Sequence, residues 1–469
     1  MPDYDVIVIG CGPAGQQAAI KCAKLGRRVA LVDDREVVGG MCLHVGTIPS
    51  KTLREAIIYL SGYNERKIYG PDYRVKRDIT IEDLLFRCNE IIRREIEVIH
   101  NHLDSQGVEV LVGRASFTDP HTINVASSER TLSLSASGFI ICTGSAAHRP
   151  EGVDFDGRTI MTTDEILDLL FLPQKLVIVG GGVIAIEYAC MFGLLDIDVT
   201  VVSSYRDILP FVDRELVAAL KNHMQRSNVK LALGKEIAKM RRDSSGRVVG
   251  QFSDGEGFEA DLVLFAASRR GNTAGLNLQA AGVPVGERGH LKVDECFRTE
   301  AYHILAAGDV IGFPALASTS GEQGRKAANH LLGISDVPYQ AIFPYGIYTI
   351  PEISMAGESE DSLQKKGVKY EVGIGNYLDT ARGQIVFDED GLVKLLFDPE
   401  TRKLYGVHII GTNATELIHI GQAVLIYQGT LNYFIDTVFN YPTLAEAYKL
   451  AAINGRDKLG YGSPAPAVK

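Results

Sequence analysis

Two short glycine-rich turns carry the most specific chemistry in the sequence. The first, Gly10-Cys11-Gly12-Pro13-Ala14-Gly15, follows the apolar run Asp5-Val6-Ile7-Val8-Ile9 and leads into an alanine-rich helical stretch ending near Leu25. Each glycine has a separate task. Gly10 permits a tight turn, Gly12 bares backbone N–H groups to a pyrophosphate, and Gly15 lets the helix pack close to the strand. The helix N-terminus adds about half a positive charge toward the phosphates. Beyond Gly26 a strand from Arg28 to Val32 ends at Asp33, whose carboxylate is placed to accept hydrogen bonds from an adenosine ribose. Strand, turn, helix, strand and terminal acid make a complete dinucleotide-binding unit.

The pattern returns at mid-chain. Leu176-Val177-Ile178-Val179 runs into Gly180-Gly181-Gly182-Val183-Ile184-Ala185, then a helix to about Leu194 and a strand from Asp198 to Val202. Gly180, Gly182 and Ala185 fill the G-x-G-x-x-A variant. Ser203 stands where the ribose-binding acid would be, with Arg206 close behind. A carboxylate at that place would repel the 2′-phosphate of NADP; a serine with a nearby arginine admits it. Arg206 also reads as an ordinary solvated loop arginine, and the sequence leaves both readings open.

These two turns must be carried by more than one core. A chain of 469 residues implies about three domains at the usual ~150 residues each. The landmark Ile304-Leu305-Ala306-Ala307-Gly308-Asp309 reads as another strand ending at a glycine and an acid. From about Pro338 the texture changes to alternating strands (Val393 to Phe397, Leu404 to Ile410) followed by helices. The expected fold is α/β, with two Rossmann-like dinucleotide-binding domains and a C-terminal α+β domain.

Composition narrows the partners. The net charge of −10 argues against nucleic acid, which needs a basic surface. The most apolar stretch, Leu176 to Leu195, is broken by three glycines and Glu187, so no membrane span is expected. The N-terminus lacks a signal-peptide pattern, and seven irregularly spaced cysteines do not suggest a secreted disulfide framework. A cytoplasmic location is expected. No cysteine–histidine cluster has metal-ligand spacing, so no metal is expected.

With both turns placed, the segment Gly39-Gly40-Met41-Cys42-Leu43-His44-Val45-Gly46-Thr47-Ile48-Pro49-Ser50-Lys51 gains meaning. It resembles the redox loop of the flavoprotein pyridine nucleotide-disulfide oxidoreductases, a family that includes glutathione reductase and dihydrolipoamide dehydrogenase. The likeness extends to Thr143-Gly144-Ser145, Arg269 with Asn272-Thr273, Gly308-Asp309, Tyr348-Thr349-Ile350-Pro351-Glu352 and Tyr441-Pro442-Thr443-Leu444-Ala445-Glu446.

The resemblance implies non-covalent FAD on the first unit, NAD(P) on the second, and homodimerisation through the C-terminal domain. It implies domains at 1–150 (FAD, first part), 151–272 (NAD(P)), 273–337 (FAD, second part) and 338–469 (dimerisation). It adds Gly40, Cys42, Thr47, Lys51, Thr143, Gly144, Gly308, Asp309 and Arg269 to the cofactor-binding residues. Lys51 is expected beside the flavin, paired with Glu187, and these two are the expected catalytic residues. Asp309 is expected on the ribityl chain, although an acid after Gly308 also reads as a helix cap.

One half of the family's chemistry is missing. Disulfide reduction needs a second cysteine where this chain has Thr47, and a hydroxyl forms neither a disulfide nor a thiolate at working pH. The family's proton-donating histidine is replaced by Tyr441, although Glu446 remains. Gly46 to Lys51 and Phe439 to Thr443 match, letter for letter, a branch of the family that exchanges hydride between nicotinamide dinucleotides. The expected reaction is therefore NADPH + NAD⁺ giving NADP⁺ + NADH, by a ping-pong path through the flavin, with NAD(H) and NADP(H) as substrates at one nicotinamide site. The same residues would serve a quinone- or dye-reducing NAD(P)H dehydrogenase. A non-catalytic flavin-binding subunit is the reading from another class.

Overall fold

The structure is a computed structural model that describes residues 1–70, 72–335 and 342–460. The chain forms two compact units. One comprises Met1–Ala56, Thr80–Phe171 and Ser268–Tyr339, the other Ile57–Ile79, Leu172–Ala267 and Gln340–Lys469. The expected boundary between 337 and 338 lies outside the described residues.

The first unit is built on a seven-stranded sheet. Its parallel core places Tyr4–Ile9 between Val29–Asp33 and Thr131–Ile141, with Ile304–Ala306 on the far side of the last. Side chains along a strand alternate between faces, and here both faces are buried. Val6 and Val8 enter one core with Leu31, Ile140 and Leu305. Ile7 and Ile9 enter the other with Ala30, Val32, Phe117 and Phe139. That double burial explains why these strands read as unbroken apolar runs. On the first face, helix Pro13–Lys24 packs against helix Ala317–Leu331, where a side chain at Gly324 would overlap the Ala14 carbonyl. The long helix Ile81–Ser105 starts at a reciprocal capping box between Thr80 and Asp83.

In the second unit the parallel strands Val229–Leu233, Asp198–Ser203, Lys175–Val179 and Leu262–Phe265 lie side by side in that order. Helix Val183–Gly193 is buried from Ala185 onward, which accounts for its all-round apolar sequence. The C-terminal part is a five-stranded antiparallel sheet: Tyr345–Ile347, Ile353–Gly357, Leu404–Ile410, Leu392–Phe397 and Glu371–Asn376. Helix Glu446–Lys458 lies directly on the last strand, because Gly373 and Gly375 leave room for the carbonyls of Ala451 and Ala447. Among the described residues, no helix is long and apolar enough to cross a membrane.

Candidate active site

The first glycine turn has the geometry its spacing demands. Gly10 has φ +103°, and its N–H donates to the Val32 carbonyl at 2.7 Å. A side chain there would overlap the Cys142 carbonyl, and one at Gly15 would overlap Gly10 itself. The space a side chain at Gly12 would enter is open, while Gly40 packs so closely on Gly12 that its Cβ would stand 2.8 Å from the Gly12 Cα. Gly12 is also the N-cap of helix Pro13–Lys24 and brings no side chain to satisfy its N–H groups. Asp33 ends its strand with one carboxylate oxygen accepting from the Cys11 N–H at 2.6 Å and the other from Arg35 N–H at 3.0 Å. Burial raises the Asp33 carboxyl above its usual range.

Around this turn stand the other expected cofactor residues of the first unit. Thr143 has a buried hydroxyl with no hydrogen-bond partner, beside Gly144 at φ +69° with open space where a side chain would be. Asp309 opens a 3₁₀ turn, and its Oδ2 accepts from the Ser145 hydroxyl at 3.0 Å. The same hydroxyl accepts from Arg269 Nε at 2.9 Å; Arg269 also pairs with Asp164 at 2.9 Å. Arg269 thus braces the Thr143–Ser145 loop. The orphaned Thr143 hydroxyl, the open faces of Gly12 and Gly144, and the uncapped helix end fit FAD: a pyrophosphate on the turn with polar groups along the remainder.

The redox-loop segment forms a short helix, Gly40–His44, followed by helix Thr47–Ser61. Cys42 is a half-buried free thiol. Burial pushes that thiol up, against an opposing influence of Thr47. Lys51 lies one turn into the second helix, half-buried, with Nζ 3.3 Å from the Ser50 hydroxyl.

The second turn repeats the first. Gly180 has φ +134°, and its N–H donates to the Val202 carbonyl at 2.8 Å, just as Gly10 uses Val32. Gly182 faces open space and Ala185 is buried. Ser203 ends its strand buried, its hydroxyl accepting from Tyr205 N–H at 3.2 Å, and a side chain at Gly181 would press on that hydroxyl. Arg206 is exposed in the loop that follows. Glu187 is only 4% exposed, and its Oε1 accepts from the Tyr348 backbone N–H at 2.8 Å. Lys51 lies in the first unit and Glu187 in the second. In the C-terminal part Tyr441 is exposed, while Glu446 Oε2 is buried without a hydrogen-bond partner.

Three supporting residues escaped sequence reasoning. Gln16 donates to the Cys11 carbonyl at 2.8 Å and braces the first glycine turn. The buried Gln323 accepts from Gly308 N–H at 2.9 Å. Asp164 completes the Arg269 pair. Each reads in sequence as an ordinary helix residue, and nothing local marks it.

Two glycine turns of one design, each at the carboxyl end of its own parallel sheet, define an α/β oxidoreductase built for two dinucleotides. The chain belongs to the pyridine nucleotide-disulphide oxidoreductase family, whose model matches residues 4–324, with the family's dimerisation domain at 343–452. Enzymes of this family are FAD-dependent and use NAD(P)H. A soluble pyridine nucleotide transhydrogenase of Mycobacterium tuberculosis is 48% identical over 98% of both chains. One from Colwellia psychrerythraea is 40% identical, over 97% of this chain and 99% of its own. Among solved structures, LpdA from Mycobacterium tuberculosis is similar with a TM-score of 0.88 at 27% identity, covering 96% of this chain and 99% of its own. The flavoprotein disulfide reductase RclA of Escherichia coli, as its Cu(II) complex, gives 0.87 at 25%, covering 97% and 99%.

Proposed function

We propose that the protein transfers hydride from NADPH to NAD⁺ by a ping-pong mechanism, both nicotinamides using in turn the single site at Gly180 to Ala185. The observation that carries this reading is Cys42 standing as a free thiol with Thr47 where the second sulfur of a redox disulfide would be. It removes the disulfide half-reaction and leaves both nucleotide turns whole. The names of the 40–48% identical relatives support the same reaction.

Bound FAD supplies a two-electron acceptor that is also a two-electron donor. The chain's residues bind and orient. The N–H groups after Gly12 hold the FAD pyrophosphate, Asp33 takes the adenosine ribose, and Asp309, fixed by Ser145, takes the ribityl hydroxyls. Lys51 brings a cation to the flavin site, where negative charge develops on reduction. In the second unit the N–H groups after Gly182 hold the NAD(P) pyrophosphate. Ser203 avoids repelling a 2′-phosphate, and Arg206 attracts one, so both nucleotides are accepted. The matched dimerisation domain supports a homodimer, and we assign the enzyme to the cytoplasm.

Anaerobic stopped-flow spectroscopy tests the proposal directly. NADPH is expected to bleach the flavin and NAD⁺ to restore it, with parallel double-reciprocal lines at steady state. A flavin bleached by NADPH but reoxidised only by quinones or dyes would reassign the acceptor. Intersecting lines would require a second nicotinamide site.

A further inference from the structure

A serine hydroxyl has one proton to donate and lone pairs to accept with, so a neighbour that only donates decides where that proton goes. Ser145 is buried beside such a neighbour. Its hydroxyl accepts from Arg269 Nε at 2.9 Å, and a guanidinium cannot accept in return. The Ser145 proton is thereby committed to Asp309 Oδ2, 3.0 Å away. Among the described residues, the other Asp309 oxygen, Oδ1, receives only a 3.5 Å contact from the Ser320 hydroxyl, too long for a strong hydrogen bond. One oxygen of Asp309 is pinned, and the other keeps its lone pairs for a ligand hydroxyl.

Arg269 is itself engaged through every nitrogen. Nε and Nη2 both donate to Ser145, the first to its hydroxyl and the second to its carbonyl at 2.7 Å. Nη1 donates to Asp164 Oδ1 at 2.9 Å. Asp164 Oδ2 accepts from the Ala147 N–H at 2.8 Å, and Ala147 faces Arg269 across the ribbon of Ser145–Ala147 and Arg269–Gly271. Asp164 thus ties the guanidinium to the strand that carries Ser145. With side chains only 27% and 21% exposed, the Arg269–Asp164 pair is held more firmly than a surface pair. A lysine could not replace Arg269, because it lacks a planar fork for two oxygens of Ser145 and a carboxylate.

We infer that Asp164 and Arg269 are positioning residues for the FAD site: through Ser145 they fix the Asp309 carboxylate with Oδ1 left to accept from the ribityl hydroxyls. Arg269, expected from the resemblance to touch the cofactor, acts instead through the protein. The inference deepens the proposed function and rests on its assignment of Asp309 to the ribityl chain. All four residues lie within the first unit.

The test titrates the full-length apoprotein with FAD, and with ADP scored by its competition against FAD. ADP carries the adenosine and pyrophosphate of FAD but no ribityl chain, so a fault confined to Asp309 spares it. Ser145→Ala should weaken FAD about tenfold and Asp164→Asn about fivefold, with ADP affinity within about twofold of wild type. In a Ser145→Ala background, Asp164→Asn should cost nothing further, because the link to Asp309 is already cut. Equal losses for FAD and ADP, full additivity of the two changes, or wild-type FAD affinity in either variant would overturn the inference. Asp309→Ala separates it from the reading on which it rests. Wild-type FAD affinity in that variant would refute the ribityl assignment, whereas a loss there without one in Ser145→Ala would refute the relay alone.

Discussion

Cys42 is a free thiol and Thr47 opens the helix that follows it, so at the two places where a disulfide reductase would carry a redox disulfide this loop has one thiol and one hydroxyl. In the proposed reaction, electrons delivered by NADPH have no sulfur to rest on. The number of thiols that react with a disulfide reagent in the unfolded protein should be the same before and after NADPH reduction. Cys42→Ser should retain most of the transhydrogenase rate, and neither glutathione nor lipoamide should be reduced. Two extra thiols after NADPH treatment would reveal a disulfide elsewhere.

Lys51→Met should slow flavin reduction by NADPH and reoxidation by NAD⁺ alike, by on the order of a hundredfold, since one interaction with developing flavin charge is removed. Nucleotide dissociation constants should hardly move. A loss confined to binding would show that Lys51 serves the nucleotide and not the flavin.

Ser203 is the last residue of the strand that ends the second βαβ unit and Arg206 lies just beyond it, and the two predict a split between the two substrates. Ser203→Glu should weaken NADPH far more than NADH through repulsion of the 2′-phosphate. Arg206→Ala should cost NADPH roughly tenfold in affinity, the worth of one charge-assisted contact, and NADH little. Isothermal titration of each nucleotide reads this out; equal losses would place the adenosine ribose elsewhere.

Lys394 is fully buried and bonds three carboxylates at once: Asp213 at 2.9 Å, Glu215 at 2.7 Å, and Glu360. Burial pulls its ammonium down, yet Glu215, Glu360 and Asp213 together outweigh burial and raise it. Lys394→Met leaves the buried Asp213 without its cation, so about 3–5 kcal/mol of stability should be lost. Chemical denaturation of the apoprotein and FAD-loaded enzyme measures it, and a variant as stable as wild type would contradict this account.

Asp390 is held down to about 2 by a hydrogen bond from His223 and by Arg226. A carboxyl lowered on folding contributes stability that is complete above its usual 3.8 and fades as the pH falls toward about 2. Asp390→Asn should therefore flatten the loss of thermal stability between pH 4 and about 2, while lowering stability at pH 7. An unchanged acid limb would assign that loss to other groups.

The sequence by itself determined the parts whose chemistry is local. Only glycine serves at Gly10 and Gly180, where the backbone takes positive φ against a neighbouring carbonyl, so spacing alone revealed both glycine turns. Runs such as Val6 to Ile9 announced parallel strands because both sheet faces are buried. Thr47 argues against disulfide chemistry simply by being an oxygen where sulfur is needed. Tertiary structure decided what depends on segments far apart in the chain. Nothing near Glu187 points to Tyr348 N–H, because that donor is a backbone group, the same in every non-proline residue, and chain folding alone brings it there. Lys394 interrupts an apolar strand, and only carboxylates from two distant helix starts let it be buried there. Gln323 and Asp164 look like ordinary helix residues until the loops they brace are folded against them. Conformational demands at a turn are written in residue types; hydrogen bonds between distant segments form only when packing brings donor and acceptor within reach.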